Sequence, residues 1–137
     1  MGIICFFFDT YAFYELITGN KAYIPYRQEI KIVTTKLNLM ELYYGLLLKQ
    51  GKAIAEQYYN LFLPFTVEIE DISIKEACEY KAAVKQKKLS YIDCVGYMIA
   101  QKMNIKFLTE RRLFIIDFFP IFYLYFSYLR TRTFSLS

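Results

Sequence analysis

The chain has 137 residues, enough for one domain with a single core. It is 56% hydrophobic and 20% aromatic, which argues against disorder, and its net charge of +4 suits a nucleic-acid partner without requiring one. The absence of histidine removes serine and cysteine triads, an imidazole general base and the usual zinc sites, so any catalysis rests on carboxylates, hydroxyls and lysines. Cys5, Cys78 and Cys94 are odd in number and form no CxxC pair, and they read as core thiols in a reducing compartment. No basic residue precedes the first apolar run and Asp9 ends it, unlike a signal peptide, so a cytoplasmic protein is expected.

In chain order, IICFFF (3–8) is a continuous apolar run that suits a central strand buried on both faces. Asp9 or Thr10 can cap the helix TYAFYELITG, which stops at Gly19-Asn20. Residues 20–29 read as a short helix or loop around Pro25. IKIVTT (30–35) is β-branched and predicts a second strand. Thr35 can cap a helix over 36–50, ending near Gly51, and a further helix over 52–62 stops before Pro64. FTVEIE (65–70) alternates and predicts a third, more exposed strand. Ser73-x-x-Glu76 is a capping box for a helix to about 86, and Lys85-Gln86-Lys87-Lys88 is a basic connection. Ser90-x-x-Asp93 is a second box for a helix to about 103, followed by a fourth strand, IKFLT (105–109). Strands alternating with helices predict βαβ units: an α/β fold, a three-layer α/β/α sandwich around a central parallel sheet of four to five strands.

After Arg112 the composition changes. LFIIDFFPIFYLYFSYLRTRTFSLS contains no Lys, Gly, Ala or Glu. Three readings stay open: a final strand with a hydrophobic extension, a membrane anchor, or the product of a disrupted reading frame. The apolar stretch 113–129 contains Asp117 and Pro120 and is marginal for spanning a bilayer, which favours the first or third. The division is 1–114 as the domain and 115–137 as an atypical aromatic tail.

Asp9, Glu41 and Asp93 each sit among apolar neighbours, where a carboxylate loses hydration and needs a partner such as a divalent cation. Asp9 follows the first strand, Glu41 lies in the second turn of the helix after the second, and Asp93 lies in the first turn of the helix before the fourth. Ligand crevices in parallel sheets lie beyond the carboxyl ends of strands, so these three and Thr109 can meet there. Converging carboxylates repel unless cations screen them or one takes up a proton, and Mg²⁺ or Mn²⁺ matches hard oxygen donors. Each acid also has a plainer role: Asp9 and Asp93 as helix caps, Glu41 in a buried pair with a lysine such as Lys36. Lys85, Lys87 and Lys88 are candidate phosphate contacts, though such a run is more often a solvated loop. Tyr43, Tyr44, Tyr91 and Tyr97 are candidates for base stacking, with packing as the default.

FFFDTYAF, TTKLNLMELYYG, LSYIDCVGYMIA and KFLT, in this order and spacing over residues 1–114, resemble a PIN domain, the nuclease domain of VapC-type toxins. The resemblance implies Mg²⁺- or Mn²⁺-dependent RNA cleavage by a metal-activated water, an antitoxin partner and frequent homodimers. It places Asp9, Glu41 and Asp93 as metal-binding acids and Thr10 and Thr109 as supporting hydroxyls. The family commonly continues through one more residue to an aspartate. Here FLTERRLF puts Arg111 at that point and Glu110 one place early, making Glu110 the candidate fourth acid. The alternative is a catalytically degenerate PIN fold that binds RNA or an antitoxin.

Overall fold

The computed structural model describes residues 4–19, 30–108 and 115–116. β1 (Ile4–Phe8) leads into α1 (Thr10–Thr18), and β2 (Ile30–Val33) leads into α2 (Lys36–Gln50). α3 (Lys52–Phe62), α4 (Asp71–Ala83) and α5 (Tyr91–Lys102) follow, then β3 (Lys106–Leu108) and β4 (Ile115–Ile116). The sheet order is β2-β1-β3-β4. β1 is paired in parallel with β2 and with β3, and β4 runs antiparallel to β3.

Alternation along the strands divides the core between the two sheet faces. Phe6, Phe8 and Leu108 pack with Phe13 and Leu16 of α1, Leu39, Leu42 and Leu46 of α2, and Ala55 and Phe62 of α3. Phe7, Val33 and Phe107 pack with Ala77 and Tyr80 of α4 and with Cys94, Val95, Met98 and Ile99 of α5. Gly96 sets the closeness of α5: a Cβ there would lie 2.8 Å from the Phe7 ring and 3.0 Å from that of Phe107. Of the three cysteines read as core thiols, Cys94 is buried, which pushes its thiol up to about 11, whereas Cys5 is half-buried and Cys78 is exposed.

Three expectations about the elements need correction. Among the described residues the parallel part of the sheet has three strands, not four to five. The strand expected over 65–70 is reduced to one bridge, Thr34 with Thr66. Thr34 donates its N–H to the Phe65 carbonyl (3.0 Å), and Val67 donates to the Thr34 carbonyl (2.9 Å). The next parallel rungs would need backbone at and beyond Lys36, which has already entered α2. An open groove of about 480 Å³ remains, lined by Lys36, Thr66, Val67, Glu68 and Ile69. The Ser73–Glu76 box does not open α4 either: the helix starts at Asp71 after Glu70, leaving Ser73 buried in its first turn.

The segment 20–29, Thr109, Glu110, Arg111 and most of the aromatic tail lie outside the described residues. Among the described residues, no helix is long and apolar enough to cross a membrane.

Candidate active site

Strand order reverses at β1, because β2 and β3 lie on its opposite sides. In open parallel sheets ligands bind beyond the carboxyl ends of the strands at such a reversal, here the ends of β1 and β3. Asp9 stands there, 3% exposed. Its backbone N–H donates to the Leu108 carbonyl at 3.2 Å, tying the end of β1 to the end of β3. Its Oδ1 accepts the Ala12 N–H at 2.8 Å, so Asp9 is the N-cap of α1.

Thr10, the first residue of α1, joins this position to α2. Its hydroxyl lies 3.2 Å from Glu41 Oε1, to which it donates. Glu41 differs from the expectation of a carboxylate sunk among apolar side chains: it is exposed, and so are its neighbours Met40 and Tyr44. α2 turns Asn38, Leu39, Leu42 and Leu46 inward instead, and the partner of Glu41 is Thr10 rather than Lys36. Partial burial still raises the Glu41 pKa; the Thr10 hydrogen bond opposes the rise and the charge of Asp93 adds to it.

Asp93 closes a capping box on α5. Its Oδ2 accepts the Ser90 N–H at 3.3 Å, and Ser90 Oγ accepts the Asp93 N–H at 3.0 Å. Tyr97, one turn further along α5, is half-buried, with its ring centroid 4.4 Å from that of Phe107. Burial raises its pKa most, and the charges of Asp93 and Asp9 raise it further, so the phenol stays protonated. Tyr97 therefore serves packing and feels both acids, rather than standing free as a stacking platform. Tyr43 packs edge-on against Tyr59 and donates to Glu56 at 3.0 Å. Tyr44 and Tyr91 are exposed.

Lys85, Lys87 and Lys88 are all exposed. Lys85–Lys87 form a 3-10 turn and Lys88 is left-handed (φ 49°), immediately before the Ser90–Asp93 cap. This puts the basic loop at the same end of α5 as Asp93.

Asn38, Thr34 and Thr35 were not singled out as site residues from the sequence. All three are buried. Thr34 donates to the Phe8 carbonyl at 2.9 Å, pinning the end of β2 to that of β1. Asn38 contacts Thr35 and Thr10. The available signal was three polar, hydrogen-bonding residues, Thr34 and Thr35 at the entry to α2 and Asn38 in its first turn, one turn before Glu41.

Carboxylate oxygens match a hard divalent cation in chemistry and charge. Glu41 and Asp93 are close enough for one charge to act on the other, and neither forms an ion pair among the described residues. The geometry is more open: among the described residues, no three acidic, cysteine or histidine side chains lie close enough together to hold a metal ion.

A sequence model of the PIN domain matches residues 6–112. The chain belongs to the PIN domain family. No curated protein matches it in sequence. Among solved structures, this PIN domain is similar in fold to VapC20 of Mycobacterium tuberculosis, described as a sarcin–ricin-loop-cleaving toxin, with 16% identity, a TM-score of 0.64, and coverage of 74% of this chain and 85% of that one. It is also similar to a toxin–antitoxin complex from Klebsiella pneumoniae (17% identity, TM-score 0.62, 84% and 91% covered). A third is PAE2754 from Pyrobaculum aerophilum (16% identity, TM-score 0.59, 81% and 84% covered).

Proposed function

We propose that this PIN domain is a cytoplasmic endoribonuclease, the toxin of a toxin–antitoxin pair, that depends on Mg²⁺ or Mn²⁺. The observation that carries the reading is the placement of Asp9 and the Thr10–Glu41 pair at the strand-order reversal, in a chain matched as a PIN domain over residues 6–112. Asp9, Glu41 and Asp93 would hold the cation. When bound, a divalent cation supplies an activated water and offsets charge on the phosphodiester. Asp9 is fixed by its cap and by β3, Asp93 by its box, and Glu41 by Thr10. Thr109 is proposed as a second supporting hydroxyl and Glu110 as the fourth acid. Lys85, Lys87 and Lys88 are proposed to meet RNA phosphates beside Asp93. An antitoxin and a second copy of the chain are the proposed protein partners. Residues 1–114 are proposed as the nuclease domain and 115–137 as an extension whose first two residues form β4.

The test is cleavage of a panel of structured RNAs by the full chain, with Mn²⁺ and with chelator, beside Asp9→Asn. Metal-dependent cutting absent from the variant supports the nuclease. The absence of a three-ligand cluster among the described residues, with Arg111 at the family's acidic position, favours a second reading: a degenerate RNA- or antitoxin-binding module. RNA binding by a folded protein that neither cuts RNA nor binds Mn²⁺ would select it.

A further inference from the structure

Asn38 is 1% exposed and lies in the first turn of α2, three residues before Glu41. A buried amide must place two N–H donors and a carbonyl. Its Oδ1 accepts the Thr35 hydroxyl at 2.7 Å. Thr35 Oγ1 in turn accepts the Asn38 backbone N–H at 3.3 Å, which leaves the Thr35 proton for Oδ1. That arrangement favours Oδ1 as the end of the amide that faces Thr35, since it gives the Thr35 proton an acceptor. The other end, Nδ2, faces Thr10 and donates to its Oγ1 at 3.5 Å, a long contact.

The Thr10 hydroxyl has one proton and two acceptors in reach. Glu41 Oε1 is 3.2 Å away and the Asn38 backbone carbonyl is 3.4 Å away. With an N–H on its oxygen, Thr10 acts as acceptor toward the amide and as donor toward Glu41. Turning the amide over would present Oδ1 to Thr10 and draw the proton away from Glu41. With the Thr10 proton on its shorter contact, Glu41 Oε1, the bonds run one way, from Thr35 through Asn38 and Thr10 to Glu41, and leave Glu41 Oε2 without a hydrogen-bond partner among the described residues.

We infer that Asn38 is a positioning residue, whose locked amide directs the Thr10 proton onto Glu41 Oε1 and so orients that carboxylate for cation binding. The inference rests on the nuclease reading of the same site. Outer hydrogen-bond partners of metal-binding groups typically contribute about 10–100-fold in affinity or activity.

The experiment measures Mn²⁺ affinity by electron paramagnetic resonance and RNA cleavage for the full chain, Asn38→Asp and Asn38→Ala, with circular dichroism to confirm folding. Asn38→Asp keeps the shape, removes the donor and adds a negative charge. Charge alone would tighten Mn²⁺ binding; loss of orientation weakens it, and a drop of about tenfold or more is expected. A fall in kcat with little change in KM for RNA should accompany it. Asn38→Ala loses the donor without adding charge and should move both readouts the same way, so it decides the matter if Asn38→Asp does not fold. Folded variants that bind Mn²⁺ and cut RNA like the wild type would overturn the role of Asn38 and leave the nuclease intact. A folded wild type that neither binds Mn²⁺ nor cuts RNA would overturn the nuclease reading, and this inference with it.

Discussion

Asp93 is held by its own neighbours, whereas Glu41 is held from across the molecule. The Asp93 cap closes on Ser90, three residues away in sequence. The hydroxyl on Glu41 comes from Thr10, 31 residues away on another helix, backed by the buried amide of Asn38. Asp9 combines both, with a local cap on Ala12 and a backbone bond to β3. A locally held acid keeps its orientation as long as its helix persists. A tertiary-held acid depends on the packing of α1 against α2. The two halves should therefore respond to different perturbations.

The largest effect is expected on the tertiary half. Thr10→Val removes the donor to Glu41 and should slow single-turnover RNA cleavage by about 10–100-fold, while Thr10→Ser stays near wild type. Equal rates for the two variants would remove Thr10 from the site.

Next comes a change that moves the other half by packing alone. Gly96→Ala sets a methyl against the Phe7 and Phe107 rings, which pushes α5 from the sheet. A stability loss of about 1–3 kcal/mol is expected in denaturant melts, with cleavage impaired through the displacement of Asp93 from Asp9. An unchanged melt would show that α5 is less tightly seated.

Ser90→Ala breaks only the local hold. Removing this N-cap should cost about 1 kcal/mol in a melt, with a smaller effect on cleavage than Thr10→Val. A larger cleavage defect than that of Thr10→Val would reverse the comparison.

The smallest effect is in pH dependence. The pKa of Glu41 is raised in the fold above its ordinary 4.5, so in that window the folded protein binds the proton more tightly than the unfolded chain. Wild-type stability should fall as pH rises from 4.5 through the folded pKa. Glu41→Gln should lack that slope, being relatively more stable at neutral pH and losing the advantage on acidification. Melts in chelator from pH about 4 to 8 check this, and parallel curves would show that Glu41 is well solvated in both states.

Much of the framework is legible in the sequence because it rests on local rules. Gly19 is left-handed after α1, Thr35 caps α2, and Ser90 and Asp93 close the box on α5, as their positions predict. FTVEIE shows where such rules stop. Its alternation is real, with Val67 and Ile69 partly buried and Glu68 and Glu70 exposed, but a strand needs a partner and β2 has already turned into α2. Ser73 failed as a cap because Glu70 and Asp71 open the helix one turn sooner. Glu41 misled for a related reason: its apolar neighbours looked like a core, yet Met40 and Tyr44 face outward with it.

By itself the sequence determined most of the strands, helices and caps, and which three acids stand out, because propensity, periodicity and capping act over a few residues. Only the tertiary structure decided that the strand order reverses at β1, that Thr10 reaches Glu41, and that a buried amide at Asn38 stands behind them. Those contacts join residues 28 to 31 positions apart, and a hydrogen bond across that distance exists only once the helices have packed.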